Sequence, residues 1–544
     1  MNLENLVKIK VQTIILRIFV KNLKMARYFN VAGPCNEAKH YMIEASSRLT
    51  GITELIDHEQ YFVIHAPRQS GKTTFLMDLT NRINREGKYY ALYCSLEALQ
   101  GVEDAKEGIP AIVDGIATTL QLSNIPQWEE FAKNASGGNY TFLLLRALTF
   151  FCISLDKPLV IFFDEADCLS EGTLISFLRQ LRNGYNTRSM TPFVHSVALV
   201  GMRNIRDFKA KIRPDSESLG SASPFNIVTE TLTLKNFTQE EIIKLYAQHT
   251  GDTGQVFEPE AIELVFRQTQ GQPWLVNAIA REVIVKMLAS DYTKPITAEL
   301  VHQAIQTIIL RRDTHIDSLL ERLKEERVRR VMEPVIIGEL SGVDSQSDDY
   351  RYTTDLGLIK AVDGVIMPSS PIYAEVIIRT LNANSQKDLD ESKYAHRMPR
   401  YLKNGRIDMT YLMQDFQSFW RENSEIWIER YQYKEAAPQL IMQAFLQRVV
   451  NGGGEIIREF AAGYRRIDLC VKYEGQKYPI ELKLRRSTQT EENSYSQILD
   501  YMDTLGVKEG WLVIFDRRIN MDWDTKVYLK TEKINDRTLT IVGC

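Results

Sequence analysis

The chain is poor in several features that would narrow its class at once. Its six cysteines (Cys35, Cys94, Cys152, Cys168, Cys470 and Cys544) are scattered, and no CxxC pair occurs among them. That excludes a cysteine zinc site and a disulfide framework, and it fits reduced thiols in a cytoplasmic protein. Charge of one sign is missing too: the formal net charge of −4 gives no global signal for a polyanion, so any nucleic-acid binding must come from local patches. Long apolar runs are absent. "VQTIILRIFV" (11–20) is interrupted by Arg17, is too short to span a bilayer, and is followed by no small-residue cleavage site. It reads as an amphipathic extension, residues 1–27, with Met25 as an alternative start, and no membrane association is expected. There is no internal repeat and no low-complexity tract.

What is present is ordinary in bulk and specific in detail. With 544 residues, 44% apolar and 25% charged, the chain is too long for one core, and three or four soluble domains are expected. Between 61 and 235 apolar strand-like runs ("YFVIHA", "YYALYCSLE", "PLVIFFDEA", "VHSVALVG") alternate with helical spacing. That predicts an α/β fold with a parallel sheet covered on both faces. From 236 to 312 the pattern turns helical. "TQEEIIKLYAQHTG" has a capping-box start and a glycine stop, and "EPEAIELVFRQTQG" reads as the same design. In 313–381, helices surround two short apolar runs split by Asp363-Gly364, a hairpin signal; helix, hairpin, helix predicts a winged-helix-like module. Residues 382–400 are polar and aperiodic, a linker. The last block, 401–544, begins with helices and continues as strands.

The phosphate chemistry is concentrated in "HAPRQSGKTT" (65–74), which follows a buried strand and opens a helix, as a phosphate-binding loop must. Ala66, Pro67, Arg68, Gln69, Ser70, Gly71, Lys72, Thr73 and Thr74 form the candidate nucleotide site. Backbone N–H groups would cradle the phosphates, Lys72 would reach the β and γ phosphates, and Thr73 would help hold Mg²⁺. Ala66 stands where the pattern has its first glycine, at a cost in backbone freedom only. The strand of "LVIFFDEADC" ends in Asp164, a candidate Mg²⁺ ligand, and Glu165, a candidate for polarising the attacking water. The letters of 164–167 spell DEAD, but no further helicase motifs occur downstream. With "VALVGMRN" ending near Arg203 and "GQPW" opening a helix at Pro273, residues 28–380 resemble AAA-like ATPases of the STAND and archaeal type. The resemblance implies ATP as cofactor, Arg203 as a sensor of the γ phosphate and Pro273 packed near the nucleotide. A homo-oligomer is compatible with it.

A second site is expected near the C-terminus. In "YPIELKL" the period of two puts Glu481 and Lys483 on one face. Asp468, thirteen positions before Glu481, starts the preceding strand. Two carboxylates on adjacent strands can hold Mg²⁺ for hydrolysis of a phosphodiester, with the lysine positioning water or neutralising charge. Asp468, Glu481 and Lys483, with helices before and after the strands, resemble the PD-(D/E)xK nuclease superfamily, although Ile467 stands where that pattern usually has proline. The resemblance implies a restriction-endonuclease-like α/β domain, Glu435 as an extra metal ligand and Gln497 as a helper. The bland alternative for an E-x-K strand is a solvated, salt-bridged surface. Arg465, Arg466, Lys483, Arg485 and Arg486 supply local positive charge suited to nucleic acid, DNA above all. The sequence thus points to an ATPase joined to a Mg²⁺-dependent endonuclease. The competing reading is a nucleotide-dependent switch or scaffold that binds nucleic acid or a partner without cutting.

Overall fold

The computed structural model describes residues 27–44, 48–202, 228–311, 314–336, 343–381, 398–428, 437–450, 454–459, 468–485, 492–516, 518 and 521–544. They divide into two compact units, with the boundary between Ile308 and Ile309. The sequence divides the second unit into a winged-helix-like block, a linker and a C-terminal block. The described residues of the expected winged-helix-like and C-terminal blocks fall in this one unit.

The first unit is built on a five-stranded sheet, with β1 Tyr61–His65, β2 Tyr90–Ser95, β3 Leu159–Asp164, β4 Ser196–Gly201 and β5 Val228–Thr233 in the order β2-β3-β4-β1-β5. Its strand pairings are all parallel. The central strands are buried on both faces, which is why they read as continuous apolar runs. Alternation sorts the side chains. Val63, Ile161, Phe163 and Leu199 pack with helices α2 (Ala105–Leu122), α3 (Tyr140–Ser154) and α4 (Glu171–Thr187). Phe62, Ile64, Val160, Phe162 and Val200 pack on the other side with Phe75, Leu76 and Leu79 of α1 (Lys72–Glu86). Burial of each such side chain contributes about 1.5–3 kcal/mol, so the apolar side chains on both faces hold the sheet firmly between its helical layers.

Helices α5 (Gln239–Thr253), α6 (Pro259–Thr269) and α7 (Pro273–Arg281) come after the sheet. Thr238 and Glu241 form the expected capping box. Two local expectations fail. The α5 helix runs through Gly251 and stops at Gly254, whose positive φ and N–H to the Thr250 carbonyl make it the terminating residue. The α6 helix has no side-chain cap: Pro259 begins it, and it ends on Gln270 in the left-handed region.

The second unit opens with helices α8 (Thr314–Arg322), α9 (Glu326–Ile336) and α10 (Asp348–Asp355), the hairpin of β6 (Ile359–Val362) and β7 (Val365–Pro368), and α11 (Pro371–Leu381). Asp363 and Gly364 both take positive φ, the geometry a two-residue hairpin turn demands. After a short β8–β9 ribbon (Leu402–Lys403, Arg406–Ile407) come α12 (Met409–Ile428) and α13 (Ala437–Val450). The chain then builds a six-stranded sheet, β10 Glu455–Glu459, β11 Asp468–Tyr473, β12 Gln476–Arg485, β13 Glu509–Asp516, β14 Tyr528–Ile534 and β15 Arg537–Gly543, in the order β10-β11-β12-β13-β15-β14. The β10, β11 and β12 strands are antiparallel neighbours, and β13 lies parallel to β12 after the helix α14 (Glu492–Leu505). Aromatic rings of α12 and α13 (Phe416, Trp420, Phe445) meet Phe515 or one another on one face. The α14 residues Ile498, Tyr501 and Met502 join Cys470, Leu512 and Ile514 on the other.

Candidate functional site

The carboxyl ends of β1 and β3 meet the N-terminus of α1, the place where an open parallel sheet leaves a crevice. Gly71 caps α1 at φ 85°, and a Cβ there would come within 3.1 Å of Arg48 Nη1. Gln69 is also left-handed. Ser70 Oγ donates to the Pro67 carbonyl at 2.8 Å. These contacts shape the loop with no help from a first glycine, and Ala66 is fully buried beneath it.

Lys72 is 6% exposed and donates to the Ala66 carbonyl at 2.9 Å and the Pro67 carbonyl at 3.1 Å. Burial lowers its pKa, opposed by Glu165, Asp164 and Asp167. Thr73 Oγ1 donates to Asp164 Oδ2 at 2.8 Å, and Tyr93 Oη donates to the same oxygen at 3.1 Å. Asp164 Oδ1 accepts from the Glu165 N–H at 3.0 Å. Thr73 and Asp164 therefore bring hard oxygen donors together, a fit for Mg²⁺. Glu165 sits at φ 54°, and burial raises its pKa while Lys72 pulls it down. A carboxyl shifted upward on a strained turn beside the phosphate loop has the properties of a general base.

Glu165, Asp167 and Cys168 also approach closely enough to share an ion. Burial, with help from Asp167 and Glu165, pushes the Cys168 thiol up to about 11, so it is a protonated and poor ligand at neutral pH. Asp167 has a different use: its Oδ2 accepts from the Met202 N–H at 3.1 Å, tying the acidic turn to the end of β4. Arg203, the expected sensor, lies outside the described residues, as does Glu435.

Arg48 and Tyr93 carry no motif, whereas Gln272 and Pro273 belong to the GQPW stretch. Arg48 is 7% exposed and donates through Nη2 to the carbonyls of Ser70 at 2.8 Å and Lys235 at 2.6 Å, bracing the loop from below. Burial pushes its pKa down to about 10. Tyr93 is on β2, which neighbours the acidic strand. Gln272 caps α7 through Oε1 to the Leu275 N–H at 2.6 Å and reaches the Gln69 carbonyl through Nε2 at 3.3 Å. Pro273 starts α7, and Trp274 Nε1 donates to the Val31 carbonyl at 2.9 Å. Residues 30–35, the loop's end and α7 enclose a cavity of about 130 Å³ lined by Val31, Gly71, Thr74, Pro273, Trp274 and Asn277, among others.

The second candidate site is in β12. Glu481 is 1% and Lys483 3% exposed, so the strand's charged face is no solvated surface. The register explains it: Glu481 pairs with Leu512 and Lys483 with Ile514, and those residues pack under α14. Lys483 forms an ion pair with Glu481 and donates to Gln497 Oε1 on α14. The lysine lies against the carboxylate without the alignment of a hydrogen bond, and neither Glu481 oxygen has a hydrogen-bond donor among the described residues. The antiparallel register pairs Leu469 with Ile480, so Asp468 stands one step further, across from Glu481. Arg485 is partly buried at the end of the strand; Arg465, Arg466 and Arg486 lie outside the described residues.

Residues 32–378 match the family model described as an AAA-like domain. Residues 414–518 match one described as a domain of unknown function (DUF8371). No curated protein matches. Among solved structures, a Walker-type ATPase, PABY2304 of Pyrococcus abyssi, aligns at 14% identity over 64% of this chain and 99% of its own, with a TM-score of 0.43. The Thermotoga maritima RuvB Holliday junction branch migration motor aligns at 14% identity over 61% and 92%, with a TM-score of 0.31. Cdc6p from Pyrobaculum aerophilum aligns at 13% identity over 60% and 88%, with a TM-score of 0.32.

Proposed function

The chain belongs to the AAA-like domain family, and from that premise we propose that it binds and hydrolyses ATP with Mg²⁺ and uses the nucleotide to control a metal-dependent nuclease in its second unit, with DNA as substrate. In this reading residues 28–235 are the ATPase core, 236–312 its lid, 313–381 a winged-helix-like module and 401–544 the nuclease-like domain. The nucleotide half is supported by Lys72, Thr73, Asp164 and Glu165 standing around one loop. Lys72 exchanges neutral carbonyls for phosphate oxygens, Thr73 and Asp164 hold the ion, and Glu165 takes a proton from water.

The observation that carries the nuclease half is Glu481: a carboxylate 1% exposed, beside a lysine, with two oxygens that accept no hydrogen bond among the described residues. Lys483 offsets the charge of that carboxylate, but its lone pairs still lack hydrogen-bond donors among the described residues, and a bound cation would relieve that cost. Asp468, one register step beyond the Leu469–Ile480 pair, would add a second carboxylate, and two carboxylates suit Mg²⁺ or Mn²⁺. Bound there, the ion would supply activated water and charge neutralisation at a scissile phosphate. Lys483, held by Gln497, would steady that water or the phosphate.

The test is incubation of the purified full chain with plasmid DNA, linear DNA and RNA, in Mg²⁺ or Mn²⁺, with and without ATP. Wild type is expected to cut DNA, and Asp468→Asn and Glu481→Gln to lose cutting while keeping ATP turnover. If wild type cuts nothing under any metal, the nuclease is lost and a non-cutting switch remains. Cutting by Asp468→Asn would remove the assigned site. A Lys72→Ala protein that turns over ATP and cuts as wild type would remove nucleotide control.

A further inference from the structure

The cavity beside the phosphate loop is mostly apolar: Val31, Phe237, Leu245, Pro273 and Trp274 contribute its walls. At about 130 Å³ it suits a flat ring system rather than a whole nucleotide. It touches Gly71 and Thr74 on one side, so a ring placed in it stays within reach of phosphates on the loop. The polar groups around it are nearly all engaged. Trp274 Nε1 holds the Val31 carbonyl. The Cys35 N–H goes to Thr74 Oγ1 at 2.9 Å. The Asn30 side chain accepts from the Ala32 N–H and donates to the Gly33 carbonyl. Arg48 is taken by two carbonyls.

Asn277 is the exception. It is 8% exposed, and its Oδ1 is the one buried side-chain polar atom of this lining with no hydrogen-bond partner among the described residues. It lies one helical turn beyond Pro273 on α7, which brings it to the cavity. A buried amide oxygen without a donor is destabilising in the free protein, and a ligand group that donates to it removes that cost.

We propose that Asn277 is the residue that reads the base and selects adenine over guanine. The inference rests on the nucleotide-binding reading above and adds its specificity. Adenine presents an exocyclic amine donor beside a ring-nitrogen acceptor, which a carboxamide matches with its oxygen and its NH₂. Guanine presents a carbonyl beside that same ring nitrogen, two acceptors against a side chain with a single donor group. A site built to hydrogen-bond a ligand N–H discriminates strongly against an analogue that lacks it, because its own polar group is then left unpaired.

The experiment is calorimetric titration of the full chain with Mg²⁺ and three nucleotides: ATP, GTP and purine riboside triphosphate, which lacks the exocyclic amine. Wild type is expected to bind ATP about tenfold or more tightly than either of the others, the equivalent of one hydrogen bond. In Asn277→Leu, nearly isosteric and free of polar atoms, the preference for ATP over purine riboside triphosphate should disappear. Equal affinity of wild type for ATP and purine riboside triphosphate overturns the proposal. So does a variant that keeps the wild-type preference. If Asn277→Leu fails to fold, the analogue comparison on wild type and Asn277→Ala decide in its place. Should no nucleotide bind wild type, and Lys72→Ala behave identically, the phosphate-site reading falls and takes this one with it. Tight but indiscriminate binding, abolished by Lys72→Ala, sinks the base reader alone.

Discussion

Two buried lysines, one in each unit, are solved in opposite ways. Lys72 and Lys483 are both under 10% exposed and both have carboxylates close in sequence or space. Lys72 rests on two neutral carbonyls, while the acid nearest the loop strand, Asp164, is served by Thr73, Tyr93 and the Glu165 N–H. Lys483 is paired directly with Glu481, and that carboxylate has no hydrogen bond among the described residues. The first cation rests on neutral acceptors, which an incoming anion could replace. The second already neutralises its neighbour, and the carboxylate is the group with capacity to spare. A buried lysine beside acids is therefore not one kind of site; what matters is which partner lacks ligands.

The largest expected effect separates the two by deletion. Lys483→Ala leaves Glu481 buried and uncompensated, and should cost the β11–β13 region about 3–5 kcal/mol, read by hydrogen exchange of peptides from those strands. Glu481→Leu combined with Lys483→Met should return that region to near wild-type protection, because an apolar pair needs no compensation. Lys72→Met should cost its sheet far less but weaken ATP binding by about tenfold or more, since charge-assisted hydrogen bonds to phosphate are worth about 1.5–3 kcal/mol each. Equal destabilisation by the two substitutions would dissolve the contrast.

The pH dependence of Lys72 is set by its lowered pKa. Unfolding returns the amine to its ordinary value of 10.5, so the unfolded chain binds more protons between the lowered value and 10.5. Wild-type stability therefore gains with rising pH across that window, and its cost is full below it. Urea titrations of wild type and Lys72→Met should show the difference moving in favour of wild type as pH climbs toward 10.5. A difference that stays flat would mean Lys72 is not desolvated.

Without nucleotide, a divalent metal should distinguish the units next. Mn²⁺ at ten times its dissociation constant stabilises what it binds by about 1.4 kcal/mol. That protection is expected in β11 and β12 and to vanish in Glu481→Gln. Protection around the phosphate loop instead would place the open ligand set at Asp164.

How much of this was legible in the chain divides along the same line. The parallel sheet and its loop could be read because strands buried on both faces are continuous apolar runs and because the loop's requirements fall on consecutive residues. The hairpin at Asp363-Gly364 was legible for an equally local reason. The β12 strand was ambiguous: a period of two puts Glu481 and Lys483 together but does not say whether water or α14 covers them, and only the pairing with β13 decides it. Arg48, Tyr93 and Asn277 were out of reach. Arg48 and Tyr93 act through partners far away in sequence, Asn277 is singled out only by its burial and its unpaired oxygen, and Arg48 in particular sits in no motif. The capping of α6 failed because Glu258-Pro259 resembles the start of α5 in pattern while proline replaces the side-chain cap.

The smallest effect tests whether Asp164 is as well supplied as the comparison requires. Tyr93→Phe removes the hydroxyl that donates to Asp164 Oδ2 and leaves the ring's packing in place. Thr73 still donates to that oxygen and the Glu165 N–H to the other, so the carboxylate is not orphaned. The loss should be about 1 kcal/mol, the net value of one hydrogen bond, in a thermal or urea melt of the first unit. Affinity for Mg²⁺ and ATP should stay within about threefold, because the freed lone pair is available to ion-bound water and a water-mediated bond is nearly as good as a direct one. Gln497→Leu is the matching change in the second unit. It removes the amide oxygen to which the buried Lys483 donates, and a hydrogen bond to a charged group is worth more than a neutral one, so it should cost more. If Tyr93→Phe proves the more damaging of the two, Asp164 depends on its tyrosine, and the difference drawn between a provided and an unprovided carboxylate is wrong.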